Sequence, residues 1–382
     1  MNNYEHISFK RRWDFDSITT MRLGLCESLI ELLKTIPLSP SLRDKMYMVS
    51  LEKGAHATTA IEGNTLSESE VGDVNNNRPV RERKGYEEKE VKNVLKALNE
   101  LRHEIVDLKI KHEITPDIIR DFHKKIGKDL DKEYFKADPG VFRSYPVSVG
   151  DVYSPPNCKY IEKYVNELCI WLKKEIFVPF ASEKDCIVDS IIKAVVAHVY
   201  IAWIHPFGDG NGRTARLVEF YILLKNGLPD YCSHILSNHY NNTRSEYYNQ
   251  LKEAGKTGDL TNFISYAING LLDGLNKIKK EVIGEVIYVS WQAYIRNKLS
   301  EEISNDKIKR RLLNILEGLK PNKEYSLKEI LFASSHISHN YADSSSRLLI
   351  RDVKKLLDMK LLVSDKPSTY KLNIVAMLTT QD

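Results

Sequence analysis

The sequence predicts a mainly α-helical fold, a helical bundle broken by one short β-hairpin and followed by a smaller winged-helix-like α+β domain. Three observations carry this. Val91, Val94, Leu95, Leu98 and Leu101 recur at the i, i+3, i+4, i+7 rhythm of one helical face, with Lys and Glu between them. Within the first 280 residues only 141–153 reads as extended. After about residue 280, three helical segments precede two short β-forming runs, which is the order of a winged helix.

In chain order, a helix is expected over 18–33. Ser39-Pro40 then reads as the N-cap and first turn of another, because proline's missing N–H costs nothing there. Asn75 to Pro79 is polar and aperiodic, a loop joining that second helix to the Val91 helix. Thr115-Pro116 repeats the cap signal, and helices follow over 160–174, 188–200, 217–225 and 263–278. Between them, β-formers around Gly150-Asp151, closed by Pro155-Pro156, predict the hairpin. Beyond residue 280, helices are expected over 307–319, 327–332 and 344–359. Leu361-Leu362-Val363 and Thr369 to Leu372 then read as strands around the turn 365–368. No internal repeat is visible.

Hydrophobic residues make up 42% of the chain, enough for a substantial core, and the net charge of +4 does not by itself demand nucleic acid. Five cysteines, without a CxxC pair, suggest neither a disulfide framework nor a zinc cluster. The polar N-terminus lacks an apolar leader core, and no run is expected to span a membrane, so a soluble cytoplasmic protein is anticipated.

The chemistry concentrates between Ile204 and Arg216. Three glycines and an asparagine tolerate positive φ, so successive backbone N–H groups can converge on one anion at a helix entrance. The GxxxxGK[ST] loop is absent, leaving the cationic role to Arg213 and Arg216, three apart on one helical face. Asp209 is the hard-oxygen ligand for a Mg²⁺ shared with phosphates, and His205 alone in the segment takes a proton near neutral pH. Each piece alone has an ordinary structural explanation. Their concentration within thirteen residues argues for a phosphate site.

This segment resembles the Fic family signature HxFx(D/E)GNGRxxR at every specified position: His205, Phe207, Asp209, Gly210, Asn211, Gly212, Arg213 and Arg216. The resemblance extends over about 39–278. It implies a Fic-type helical bundle with a short β-hairpin flap, and AMP transfer from ATP to a Ser, Thr or Tyr hydroxyl of a protein, the chain itself included. His205 would be the base, Asp209 the Mg²⁺ ligand, and Gly210, Asn211, Gly212 and Arg213 the holders of the α- and β-phosphates, with Arg216 on the γ-phosphate. By the same resemblance Tyr247 and Tyr248 would lie near the adenine, and Val147, Ser148, Val149 and Gly150 would form a flap pairing with the target. Thr58 to Asn64 resembles the family's inhibitory motif (S/T)xxxE(G/N), which implies that Glu62, at a helix end, occupies Arg216 and blocks the γ-phosphate. Glu62 could equally position water for removing AMP.

The expected organisation is thus an N-terminal helical region over 1–110 with its inhibitory helix at about 40–63, a catalytic core over 111–280, and a linker helix with the winged-helix-like domain over 281–382. Two other readings stay open. The C-terminal domain, carrying Arg347, Arg351, Lys354, Lys355 and Lys360, could serve DNA or protein binding or homo-oligomerisation. The site could also take another nucleotide, or transfer phosphocholine or phosphate.

Overall fold

The computed structural model describes residues 4–80, 85–149, 153–321, 323–342 and 346–377, and the chain divides into two compact units, Met1–Lys279 and Lys280–Asp382.

In the first unit α1 (Ser17–Thr35) is followed by α2 (Pro40–Ile61), which opens on Ser39, whose hydroxyl accepts from Leu42 N at 3.3 Å with Pro40 in the first turn. Just ahead of the loop expected from Asn75 to Pro79 lies a further short helix that the sequence reading did not pick out, α3 (Glu68–Asn75). It is held by a reciprocal Ser67–Glu70 capping box and buries only Val71 and Val74, too few apolar positions to show a period. Next come α4 (Gly85–Arg102), closed by a π turn over His103–Asp107, and α5 (Pro116–Ile126), capped by Thr115. After α6 (Ile161–Lys174), the helices α7 (Ile187–Ile204) and α8 (Asn211–Lys225) pack together at the centre. α7 is 18 residues long and apolar enough to cross a membrane, contrary to the expectation that no run is; 94% of it is buried inside this unit, as the core helix.

α9 (Ile235–Asn242) and α10 (Arg244–Thr257) precede α11 (Thr261–Glu302). α11 runs far past the expected end at residue 278: Val282 continues the buried stripe of Leu271, Leu275 and Ile278, and Trp291, Ile295 and Leu299, on another face of the helix, are buried in the core of the second unit. α8 begins at Asn211 rather than at residue 217. Only Gly210 adopts the left-handed conformation, at φ 71°, leaving Asn211 and Gly212 free to be helical.

The expected hairpin is narrower than predicted: a single antiparallel bridge joins Val149 and Tyr153, with N–H to O distances of 2.9 and 3.3 Å. The first arm is committed elsewhere, with Arg143 N donating to Pro206 O at 2.9 Å. Gly150, expected in the flap, lies outside the described residues.

The second unit holds four helices after α11 rather than three: α12 (Asp306–Gly318), α13 (Leu327–Leu331), α14 (Ser335–Tyr341) and α15 (Ser346–Asp358). The additional α14 has a polar sequence and is set by its Ser334 cap and the buried Ile337 and Tyr341. Strands β1 (Leu362–Val363) and β2 (Lys371–Leu372) pair antiparallel, and a Tyr325–Tyr370 bridge extends the ribbon. Arg311, Asp352 and the Tyr341 hydroxyl form a buried polar node that joins α12, α14 and α15.

Candidate functional site at the α7–α8 junction

His205 ends α7. It sits at φ 50° and ψ 60°, a left-handed conformation unusual for a residue with a side chain, and its N–H still closes the helix on Ile201 O. Its Nδ1 faces Ala202 O at 3.2 Å. A carbonyl only accepts, so Nδ1 carries the proton and Nε2 keeps a free lone pair. Burial holds the imidazole below its ordinary pKa, against the pull of the Ala202 carbonyl, so the neutral base is the resident form.

The loop after His205 is pinned from both sides. Phe207 is fully buried and stacks on His123 at 3.7 Å and 2°. The Asn211 amide turns back on Phe207, accepting from its N at 2.9 Å and donating to its O at 3.0 Å. His123 takes Gly140 N on Nδ1 at 2.8 Å and donates from Nε2 to Asp209 O at 3.0 Å, which fixes its tautomer. Burial lowers its pKa to about 4. Arg143, 4% exposed, bonds His205 O at 2.8 Å, Tyr145 O at 3.0 Å and Pro156 O at 2.5 Å, tying both arms of the bridged segment to this loop.

α8 therefore starts against a rigid turn, with first-turn N–H groups left over and a partial positive charge at its end. Arg213 and Arg216, in its first two turns, are 4% and 2% exposed. Arg216 donates from Nε to Thr58 Oγ1 at 2.7 Å, and from Nη2 to Thr58 O at 2.9 Å and Glu62 Oε1 at 2.6 Å. Arg213 pairs with Glu90 through Nη1 and with Asp209 Oδ1 through Nη2 at 3.0 Å. Arg213 Nε and Arg216 Nη1 have no hydrogen-bond partner among the described residues.

Glu62 caps the C-terminus of α2. Gly63 N bonds Ala60 O and Asn64 N bonds Thr59 O, with Gly63 at φ 103°, a Schellman turn that ends the helix at Glu62. A side chain on Gly212 would overlap Glu62 Oε1 and stand 3.1 Å from Arg216 Nη1, so glycine there is what lets the carboxylate descend onto α8. Burial opposes its charge, but Arg216 and then Arg213 hold the carboxyl below its ordinary pKa.

Of the other residues singled out from sequence, Tyr247 is buried, stacked on Tyr240 at 4.9 Å, and bonded to His198 Nε2 at 2.9 Å, a place in the core behind α8. Tyr248 is 45% exposed and donates to Ile61 O at 3.2 Å, next to Glu62. Val147, half-buried, and the exposed Ser148 lead into the bridge, whose first residue is the exposed Val149. Sequence reading missed Glu90, Asn64, His123 and Arg143 as site residues. An open cleft of about 610 Å³ reaches the site, lined by Glu62, Asn64, Tyr86, Glu90, Asp209 and Arg213 among others. No group of three or more acidic, His or Cys side chains able to hold a metal occurs among the described residues.

Residues 113–223 match the Fic/DOC family. Protein adenylyltransferase fic-1 of Caenorhabditis briggsae is 32% identical over 210 residues, which are 55% of this chain and 37% of that protein. The chain thus spans well under half the length of the curated relative. A crystal structure of a Fic family protein from Desulfovibrio desulfuricans superposes with a TM-score of 0.58 and 18% identity over 95% of this chain and 98% of that one, a likeness of fold. Fic-1 (residues 134–508) of Caenorhabditis elegans gives 0.56 and 25% identity over 71% and 73%.

Proposed function

We propose, from the Fic/DOC domain that this chain carries, that it is a protein adenylyltransferase moving AMP from Mg-ATP onto a Ser, Thr or Tyr hydroxyl of a protein, with its own chain among the acceptors. The observation that carries the reading is the carboxylate of Glu62 resting on Arg216 at the start of α8: the site already holds an anion, supplied by the chain itself. A triphosphate entering along the cleft would meet the first-turn amides of α8 and Arg213 with its α- and β-phosphates, and Arg216 with its γ-phosphate once Glu62 withdraws. His205 Nε2 takes the hydroxyl proton as oxygen attacks the α-phosphorus and pyrophosphate leaves.

Asp209 is the carboxylate within the loop that forms the cradle, and a single loop carboxylate fits Mg²⁺ arriving with the phosphates rather than a cation caged by protein. The metal's contribution is charge neutralisation on the phosphates. The 147–149 segment, exposed at Ser148 and Val149, is the surface along which an extended target would pair, and Glu62 is the brake. Five free cysteines suit a reducing cytoplasm.

Incubation of the full chain and of Glu62→Gly with labelled Mg-ATP and a lysate, followed by mass spectrometry of the labelled proteins, tests this. An AMP adduct is expected. An adduct of another nucleotide, phosphocholine or phosphate would replace the donor while keeping the site, and no adduct of any kind would reject the reading. A second reading, binding of DNA through the C-terminal unit, is favoured by one observation: Arg347, Arg351 and Lys354 are exposed along α15. Salt-dependent retention of the full chain on duplex DNA, lost in Arg351→Ala, tests it.

A further inference from the structure

Each arginine of the phosphate site is held by a glutamate from a different helix. Glu62 at the end of α2 takes Arg216, and Glu90 within α4 takes Arg213. Glu90 is 3% exposed, so its charge has no solvent to rely on. It accepts a second bond on Oε2 from Asn64 Nδ2 at 2.8 Å. That same Asn64 is the second residue after Glu62 in the turn ending α2; its backbone N–H is bonded to Thr59 O and its Oδ1 to Leu66 N at 3.0 Å. One three-residue turn therefore supplies the carboxylate on Arg216 and the amide that steadies the carboxylate on Arg213.

The charges set the problem. As built, the site places two guanidiniums against three carboxylates, Glu62, Glu90 and Asp209. Burial pushes the Glu90 carboxyl up, Arg213 and Asn64 pull it down, and the neighbouring Glu62 and Asp209 push it up again, so these carboxylates crowd one another. A triphosphate brings more negative charge to the same cations. Withdrawing Glu62 alone balances the site at two against two, which still leaves Arg213 shared between Glu90 and Asp209.

Resting on the nucleotidyltransferase reading above, we propose that Glu90 is a second anionic hold on the phosphate site, keeping Arg213 from the nucleotide as Glu62 keeps Arg216, and that Asn64 couples the two. Movement of the 62–64 turn then loosens both arginines together. Glu90 acts through Arg213 and does not itself touch the reacting atoms, so it is a positioning residue.

The test is the Kd of Mg-ATP for the full chain by titration calorimetry, in wild type, Glu62→Gly, Glu90→Gln, the double variant and Asn64→Ala. Glutamine keeps the size of the side chain and removes its charge. Glu90→Gln in the Glu62→Gly background should tighten Mg-ATP about tenfold, or about 1.4 kcal/mol. Asn64→Ala should tighten it in the same direction by less. A purely structural glutamate would do the reverse, weakening binding as the melting point falls. Unchanged or weaker binding in a cooperatively melting Glu90→Gln chain overturns the proposal. If that variant does not fold, Asn64→Ala decides, and unaltered affinity there overturns it. Absence of any Mg-ATP binding in Glu62→Gly would reject the adenylyltransferase reading and this one with it, whereas binding indifferent to Glu90 and Asn64 rejects this one alone.

Discussion

Replacing Glu62 by glycine should raise AMP transfer while lowering the stability of the empty protein. In the structure the carboxylate sits 2.6 Å from Arg216 Nη2, with 28% of its side chain exposed against 2% for the arginine. Losing one partner of a fully buried pair costs about 3–5 kcal/mol. The exposure of Glu62 and the two bonds that Thr58 keeps to Arg216 bring the expected loss to about 1–3 kcal/mol, since a released guanidinium retains part of its hydrogen bonding. At about 2–4 °C per kcal/mol this is a fall of several degrees in Tm. Mg-ATP should restore more than it adds to wild type, because its γ-phosphate refills the vacated position on a preformed donor set. A rise in initial rate of about tenfold needs only about 1.4 kcal/mol of barrier. The assay is labelled AMP incorporation at saturating Mg-ATP, beside thermal melts with and without nucleotide. Arg216→Ala added to Glu62→Gly should cancel the gain, since the released group is then gone. A flat rate in Glu62→Gly, with melting points unmoved, would refute the reasoning and reduce Glu62 to an ordinary helix-end carboxylate.

Three further outcomes are expected. His205→Ala should cut transfer by about 10²–10⁴-fold with little change in the melt, and because burial lowers the His205 pKa, the acid limb of the wild-type rate profile should fall below the usual histidine range; a limb at or above pH 7 would contradict the assignment. The buried His123 and the half-buried His234 stay neutral down to about pH 4 when folded but take protons below about 6.5 when unfolded. Their stability is therefore full above 6.5 and is lost as pH falls toward 4, at up to about 1.4 kcal/mol per pH unit for each, which denaturant titrations at pH 7, 6 and 5 will show as a falling midpoint. Gly24 lies inside α1, where an added Cβ meets nothing within 4 Å, so Gly24→Ala should stabilise by about 0.5–1 kcal/mol and raise Tm; a lower Tm would mean that face is covered.

The site was legible where its chemistry is contiguous in sequence, and obscure where it arrives from another helix. The stretch from His205 to Arg216 shows its glycines, carboxylate and arginines in one reading. Glu90 does not: it shares the buried face of α4 with Val94, Ala97 and Leu101, but one glutamate among the many Lys and Glu of that segment says nothing of the buried guanidinium it meets. His123 and Arg143 are similar cases, recognisable only once Phe207 and His205 O are seen beside them. Helix existence followed from the apolar rhythm of segments such as α4, whereas α3 and α14, at eight and seven residues, depend on caps and one or two buried side chains. The late start given to α8 came from treating Gly210-Asn211-Gly212 as one loop. Only Gly210 needs a left-handed backbone, and Asn211 spends its side chain on Phe207 while its backbone is already helical.

The Glu62–Arg216 pair also answers a structural problem at two helix ends. α2 finishes with a carboxylate at the negative end of its dipole, and α8 starts with two buried arginines at the positive end of its own, so each terminus alone is unfavourably charged. Placing Glu62 on Arg216 brings the negative end of one helix to the positive end of the other and relieves both. Parting the pair consequently reopens both liabilities unless an anion takes the place of Glu62. In the proposed reaction the triphosphate would supply that anion to α8 and nothing to α2. By linkage, any event that improves the end of α2 while Glu62 is docked must weaken Mg-ATP by the same factor that Mg-ATP weakens the docked turn. A cation or partner drawn to the withdrawn Glu62 must act in the opposite sense, so the proposed activity would be open to control at residues 62–64 without contact with the nucleotide.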